Sequence, residues 1–307
     1  MSPPLSPPPP SGNVAESGTG LDLLVDQPDR VRVLRRALFT VADGLNPVVD
    51  LCRFFVDGLE NLPRDGRFLI VGNHTSFGVA EIVLIPYFVH RELGVRVRGL
   101  ADRSFGRMGG LAQDTFAAAG AVIGHPDTGA ALMRHDETVL VFPGGGRDML
   151  KFKGEQYQLR WEGRSGFARL AIAHDYPIVP AGLVGGDDVY TSMAERGGIW
   201  ERMSRSVGRR LHGLSGVGIP LNRGLGPTLI PRPQRMYLRF GSPIATTRPA
   251  GVRATEWEAT VKDRTQTALE TILAELQLVR ASDPYRQLNP LAWARAVQPL
   301  PARAGSG

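Results

Sequence analysis

A chain of 307 residues that is 42% hydrophobic and 21% charged has enough apolar material for one large core or two small ones. Its net charge of +6 is almost all arginine, because lysine occurs only at 151, 153 and 262. Arginine forks well onto phosphates and carboxylates, although an arginine-rich codon usage gives the same picture. The single cysteine, Cys52, excludes an internal disulfide framework and a cysteine metal cluster, and no run reaches the roughly 20 apolar residues needed to cross a bilayer.

Residues 1–20 are rich in Pro, Ser and Gly and read as a disordered tail without a signal-peptide pattern. Residues 21–60 read as a helical segment that docks on a membrane. Val31, Leu34, Leu38, Val41 and Leu45 recur at helical spacing among Arg30, Arg32, Arg35 and Arg36. Pro47 interrupts, and a second helix is expected through Leu51, Phe54, Phe55 and Leu59. From 61 to 280 the pattern is that of an α/β domain. Strands are expected at 67–72, 95–100, 120–124, 138–142, 177–184 and 235–240, alternating with helices at 79–92, 107–119, 127–134 and 163–174. Such alternation predicts a mostly parallel central sheet of about six to seven strands flanked by helices. Residues 189–232 look irregular, a last helix is expected over about 254–280, and 281–307 reads as a loose tail.

Two strand ends carry chemistry-bearing residues. The run from Phe68 to Gly72 is followed by Asn73-His74, and a neutral imidazole at a strand end can take a proton from a hydroxyl near working pH. The nearest acid downstream is Glu81. A helix starting near Val79 puts Glu81 in its first turn, within reach of the ring; a start at Thr75 puts it roughly 10 Å away along the axis. The structural alternative is a histidine that caps the strand–helix turn. The second strand end is Phe142-Pro143-Gly144-Gly145-Gly146-Arg147-Asp148, where glycines permit close backbone approach and Arg147 can face a phosphate or a developing oxyanion. A flexible connection explains this stretch equally well, and without a Gly-Lys-Ser/Thr sequence it is not a nucleoside-triphosphate loop.

Other motifs are weaker. His125 before Pro126 reads more readily as a helix cap than as a site residue. Arg164 to Arg169 reads as a helix start that seats the loop before it. Ser165 and Ser215 both fail the Gly-x-Ser-x-Gly elbow, with Phe167 and Val217 in the last position, which disfavours a serine hydrolase. Over 200–214, Trp200, Met203, Val207, Leu211 and Leu214 form an apolar stripe opposite Arg202, Arg205 and Arg209. That is the pattern of a basic helix lying on lipid, or of an ordinary helix packing its stripe on the core. With aromatics at 7% and no recognised motif, nucleic acid is not expected as a partner.

In order and spacing, these pieces over about 60–245 resemble the glycerolipid acyltransferase superfamily of the lysophosphatidic-acid acyltransferase type. Asn73-His74 with Glu81 stands where that family has Asn-His-x-x-x-x-Asp, except that Val79 occupies the acid's usual position. Phe142 to Asp148 stands where it has Phe-Pro-Glu-Gly-Thr-Arg-Ser, with Gly144 in place of the glutamate, and Ile178-Val179-Pro180 matches its fourth motif. The Phe-Pro-Gly-Gly-x-Arg form, Lys153-Gly154-Glu155 and Arg164-Ser-Gly-Phe-Ala-Arg169 look more like its diacylglycerol acyltransferase type 2 and phytyl ester synthase branch.

The resemblance implies an O-acyltransferase in which His74 is the general base, oriented by Glu81. Asn73, Gly144, Gly145, Gly146 and Arg147 would bind substrate. The co-substrate would be acyl-CoA or an acyl carrier protein, the acceptor a lipid hydroxyl, and no metal or other cofactor is expected. Around Gly120 to Pro126 no arginine stands where the phosphate-using branch has one, which favours a neutral alcohol or acylglycerol acceptor. Transfer to a lysophospholipid, or non-catalytic lipid binding on the same fold, are the alternatives. The expected location is peripheral, on the cytoplasmic face of an anionic membrane.

Overall fold

The computed structural model describes residues 33–34, 53–78, 80–101, 122–123, 125–210 and 218–288. The Pro-rich start, most of the segment 21–60, the helix expected at 107–119, Leu211, Leu214 and the tail after 288 lie outside these residues. The strands are β1 (Phe55–Asp57), β2 (Leu69–Gly72), β3 (Val97–Ala101), β4 (Val122–Ile123), β5 (Thr138–Val141), β6 (Ile178–Val184), β7 (Thr191–Ser192), β8 (Asn222–Arg223) and β9 (Tyr237–Phe240). The α-helices are α1 (Ala80–Leu93), α2 (Pro126–Arg134), α3 (Gly146–Met149), α4 (Gly166–Ala173), α5 (Ile199–Arg210) and α6 (Ala254–Ser282).

Seven strands form one sheet in the order β1-β9-β6-β2-β5-β3-β4, parallel throughout except where β9 runs against β6. Each of the six predicted strands is found. Their near-continuous apolar runs follow from burial on both faces. Leu69, Val71, Val139 and Ile178 turn to one side, against Leu269, Leu273 and Leu276 of α6 and Phe167 and Ala171 of α4. Phe68, Ile70, Leu140 and Val179 turn to the other, against Leu84, Ile85, Phe88 and Val89 of α1. Helix α6 approaches the sheet closely at Gly182, where a Cβ would stand 2.5 Å from Cγ2 of Ile272. Any side chain at 182 would lift the helix off β6.

Two expectations need correction. The helix predicted through Phe54, Phe55 and Leu59 is replaced by β1, which pairs with β9 through Phe55↔Tyr237 and Asp57↔Arg239. Phe55 packs on one face of the sheet and Phe54 and Val56 on the other, the period of a strand. The tail predicted to be loose from 281 is anchored as far as Gln287, which bridges Gln234. Arg235 is the fastener. Its backbone N–H donates to Arg286 O at 2.9 Å, its guanidinium pairs with Asp283 at 2.7 Å, and its Nε donates to the carbonyl of Arg53.

Helix α5 is turned the opposite way from a core-packing helix. Glu201 is 3% exposed and accepts from Gly197 N at 2.5 Å, while Ile199 is 76%, Trp200 41% and Met203 59% exposed. The described members of the apolar stripe read from the sequence, Trp200 and Met203, therefore do not pack on the core. No described helix is long and apolar enough to cross a membrane.

Candidate active site

Parallel pairing aligns Val71 with Val141 and Gly72 with Ala181, so β2, β5 and β6 release their chains at the same end of the sheet. His74 leaves β2 there. Its ring is 7% exposed and stacks on Phe142, with centroids 4.2 Å apart and the planes 24° from parallel. The histidine segment and the glycine-rich turn are thus in contact.

Helix α1 begins at Ala80, which places Glu81 in its first turn. From there the fully buried carboxylate reaches back, with Oε1 2.7 Å from His74 Nδ1. Oε1 also accepts from Thr75 N at 3.0 Å, and Oε2 accepts from Thr75 Oγ1 at 2.5 Å. These bonds hold the carboxylate in one orientation. They fix Nδ1 as the ring nitrogen that faces the carboxylate and leave Nε2 on the far side of the ring. Glu81, two positions beyond Val79, is thus the acid that reaches the ring. Between His74 and α1, Phe77 takes a left-handed backbone (φ 65), a conformation that a bulky residue adopts only when its surroundings hold it.

Asn73, expected to bind substrate, has its side-chain amide committed to backbone. Its Oδ1 accepts from Leu183 N at 2.8 Å and its Nδ2 donates to Leu183 O at 3.0 Å, so both ends of the amide extend the β2–β6 ladder. It positions His74 from below. His125 caps α2 by accepting from Asp127 N at 3.3 Å.

The three glycines of the second motif differ from one another. At Gly144 a Cβ would meet Asp148 Oδ2 at 1.9 Å, so the Asp148 carboxylate occupies the space a side chain at 144 would need. Gly145 adopts φ 57 and ψ −153, a region essentially closed to other residues, and its N–H is committed to Phe142 O at 3.0 Å. Gly146 is exposed and has no heavy atom within 4 Å of an added Cβ. Arg147, expected to hold a phosphate or oxyanion, instead forms an ion pair with Glu162 in which its side chain is 52% exposed. Arg164 is the arginine that contacts the turn, donating to Pro143 O at 3.0 Å and Gly144 O at 2.8 Å. It seats the loop, as its place at a helix start suggested.

A cluster of buried charges, not assigned from the sequence, supports both segments. Asp187 is 1% exposed and accepts from Ser76 N at 2.7 Å and Tyr157 N at 2.8 Å, with Lys151 Nζ 3.3 Å from its Oδ2. Asp148, also 1% exposed, accepts from Arg160 N at 2.9 Å. Burial raises the pKa of both carboxyls, against the pull of Lys151 on each; the N–H groups of Tyr157 and Ser76 oppose the shift at Asp187, and the Arg160 N–H and His74 oppose it at Asp148. Burial also raises the Tyr157 hydroxyl, next to Asp188. One signal was present in the sequence: Asp148 and Asp187 are acids at the ends of apolar strands. Their shared lysine was not legible.

Two family models match the chain. That for acyltransferase covers residues 53–184 and that for diacylglycerol acyltransferase covers 119–259. Phytyl ester synthase 2, chloroplastic, of Arabidopsis thaliana is 30% identical over 271 residues, 81% of this chain and 38% of that protein. The human DGAT1/2-independent enzyme synthesizing storage lipids is 30% identical over 149 residues, 48% of this chain and 44% of that protein. The chain spans less than half the length of these two relatives. A crystal structure of the 1-acyl-sn-glycerophosphate acyltransferase PlsC from Thermotoga maritima superposes with a TM-score of 0.44 at 14% identity, covering 82% of this chain and 86% of that one. The acyltransferase model spans His74, Glu81 and the glycine turn, the diacylglycerol acyltransferase model takes in the glycine turn but neither His74 nor Glu81, and the chain, matched from 53 to 259 by the two together, belongs to the glycerolipid acyltransferase superfamily.

Proposed function

We propose that the chain transfers a fatty acyl group from a thioester, acyl-CoA or acyl carrier protein, to the hydroxyl of a neutral lipid alcohol at a membrane surface. The observation that carries this reading is the His74–Glu81 contact of 2.7 Å beside the glycine turn. His74 Nε2 takes the proton of the acceptor hydroxyl as its oxygen attacks the thioester carbonyl. The Glu81 carboxylate stabilises the imidazolium that forms. Collapse of the tetrahedral intermediate expels the thiolate, which takes the proton from the imidazolium and leaves as the thiol. Base catalysis of this kind contributes on the order of 10²–10⁴ in rate, and holding the two reactants together supplies much of the rest.

A neutral acceptor is favoured because Arg147 is already paired with Glu162 and the segment 120–126 contains no arginine. The names of the relatives suggest phytol and acylglycerols as the first alcohols to try. The contact of Glu81 with His74 supports catalysis over non-catalytic lipid binding on the same fold. The test is product formation by the purified chain from labelled acyl-CoA with phytol, diacylglycerol or lysophosphatidic acid, repeated with His74→Ala. Ester from the first two that disappears in the variant is expected. Equal product from both proteins would eliminate the proposed base, and preference for lysophosphatidic acid would overturn the neutral acceptor.

A further inference from the structure

Within the segment that joins β6 to β9, residues 189–232 carry seven arginines against two glutamates, a net charge of +5. It also exposes a concentration of large apolar side chains. Ile199, Trp200 and Met203 project from α5, and Leu225, Leu229 and Ile230, 56%, 68% and 58% exposed, from the turn after β8. Among the described side chains of α5, Glu201, not an apolar residue, is the buried one.

These groups belong to one body. Trp200 Nε1 donates to Ile219 O at 3.0 Å, Ile219 N donates to Ser204 Oγ at 3.1 Å, and β7 pairs with β8 through Thr191↔Arg223. The body adjoins the site. The Phe77 ring, three residues beyond His74, meets Tyr190 edge-on at 4.9 Å, and the exposed Ile82 and Val83 follow Glu81 on α1.

We infer that this excursion is the surface by which the protein lies on an anionic lipid layer, with α5 and the 225–230 turn entering the acyl boundary. Arginines interleaved with exposed aliphatic residues and a tryptophan match the headgroup and acyl levels of such a layer. A nucleic acid would satisfy the charge but leave the aliphatic side chains in water. The inference rests on the acyl-transfer reading only in what it implies for substrate delivery: the acceptor would reach His74 past Phe77, directly from the layer.

The test is co-sedimentation of the full chain with phosphatidylglycerol–phosphatidylcholine vesicles. Trp200→Ser combined with Met203→Ser, and separately Leu229→Ser combined with Ile230→Ser, should each weaken partitioning by roughly tenfold or more. Both variants should esterify a vesicle-embedded alcohol more slowly, yet match the wild type with a short-chain acyl-CoA and a water-soluble alcohol. Wild-type partitioning by both variants overturns the inference. So does a change of oligomeric state with vesicle binding intact, which would assign the face to a second copy, or binding of single-stranded RNA in preference to vesicles. Vesicle binding that depends on this face, without product from any alcohol, would sink the acyl-transfer reading and leave the surface standing.

Discussion

Glu81 reaches His74 from seven positions along the chain, its Oε1 2.7 Å from Nδ1, because the turn at Ser76–Gly78 delays the start of α1 to Ala80. A carboxylate at Val79 is not needed for the dyad. Replacing Glu81 by Gln keeps a side chain of the same shape and removes the charge that stabilises an imidazolium. Acyl transfer by Glu81→Gln should fall by about 10²–10⁴, chiefly in kcat, with substrate binding little changed. Steady-state kinetics decide it, and a variant within a factor of two or so of the wild type would deny Glu81 the role.

The glycine turn predicts a graded series. Gly146→Ala should be close to wild type in stability and rate, since an added Cβ meets nothing. Gly145→Ala should lose about 1–3 kcal/mol because its backbone lies in a region open almost only to glycine. Gly144→Ala should displace the Asp148 carboxylate and lower activity by roughly tenfold or more. Thermal melts and rates on the three variants would show the order, and equal effects would mean that the turn acts only as a loop.

Lys151 neutralises two buried carboxylates. Removing it as Lys151→Met should cost about 3–5 kcal/mol, and adding Asp187→Asn should return part of that. The pH dependence has a definite sign. Both aspartates have folded-state pKa values raised above 3.8, so the cost of keeping them ionised is present above the folded values and fades as they are protonated. The deficit of Lys151→Met relative to the wild type should therefore be largest at neutral pH and shrink as the pH falls toward 3.8. Denaturant titrations at several pH values test this, and a deficit that grew on acidification would contradict it.

Gly72 holds the stacked rings in place. A Cβ there would lie 2.8 Å from the Phe142 ring, which stacks on His74. Gly72→Ala should cost about 1–3 kcal/mol and reduce the rate, and Phe142→Leu in the same chain should relieve the crowding. A double-mutant cycle on kcat that shows strict additivity would mean the alanine acts elsewhere.

The sheet and its order of elements were legible because buried parallel strands declare themselves as short apolar runs, as in Phe68–Val71 and Val139–Phe142. β1 was not, since three residues are too few to show a period and Phe54, Phe55 and Leu59 fit helical spacing as well. His74 and Glu81 were found as a pair because they are local. The Asp187–Ser76 bond joins residues 111 positions apart, and the sharing of Lys151 depends on how three loops fold together. The motif points to Arg147 rather than Arg164, whereas the carbonyls of Pro143 and Gly144 are met by a guanidinium 21 and 20 positions away. The orientation of α5 was left open by its pattern, and the buried Glu201 decides it.

Arg235 grips both the incoming chain at Arg53 and the outgoing chain at Asp283 and Arg286, and it does so level with the last residues of β6, where Val184 faces Tyr237. The chain consequently enters the described fold and leaves it at the same rim as the imidazole. The opposite rim of the sheet stays clear of both crossings.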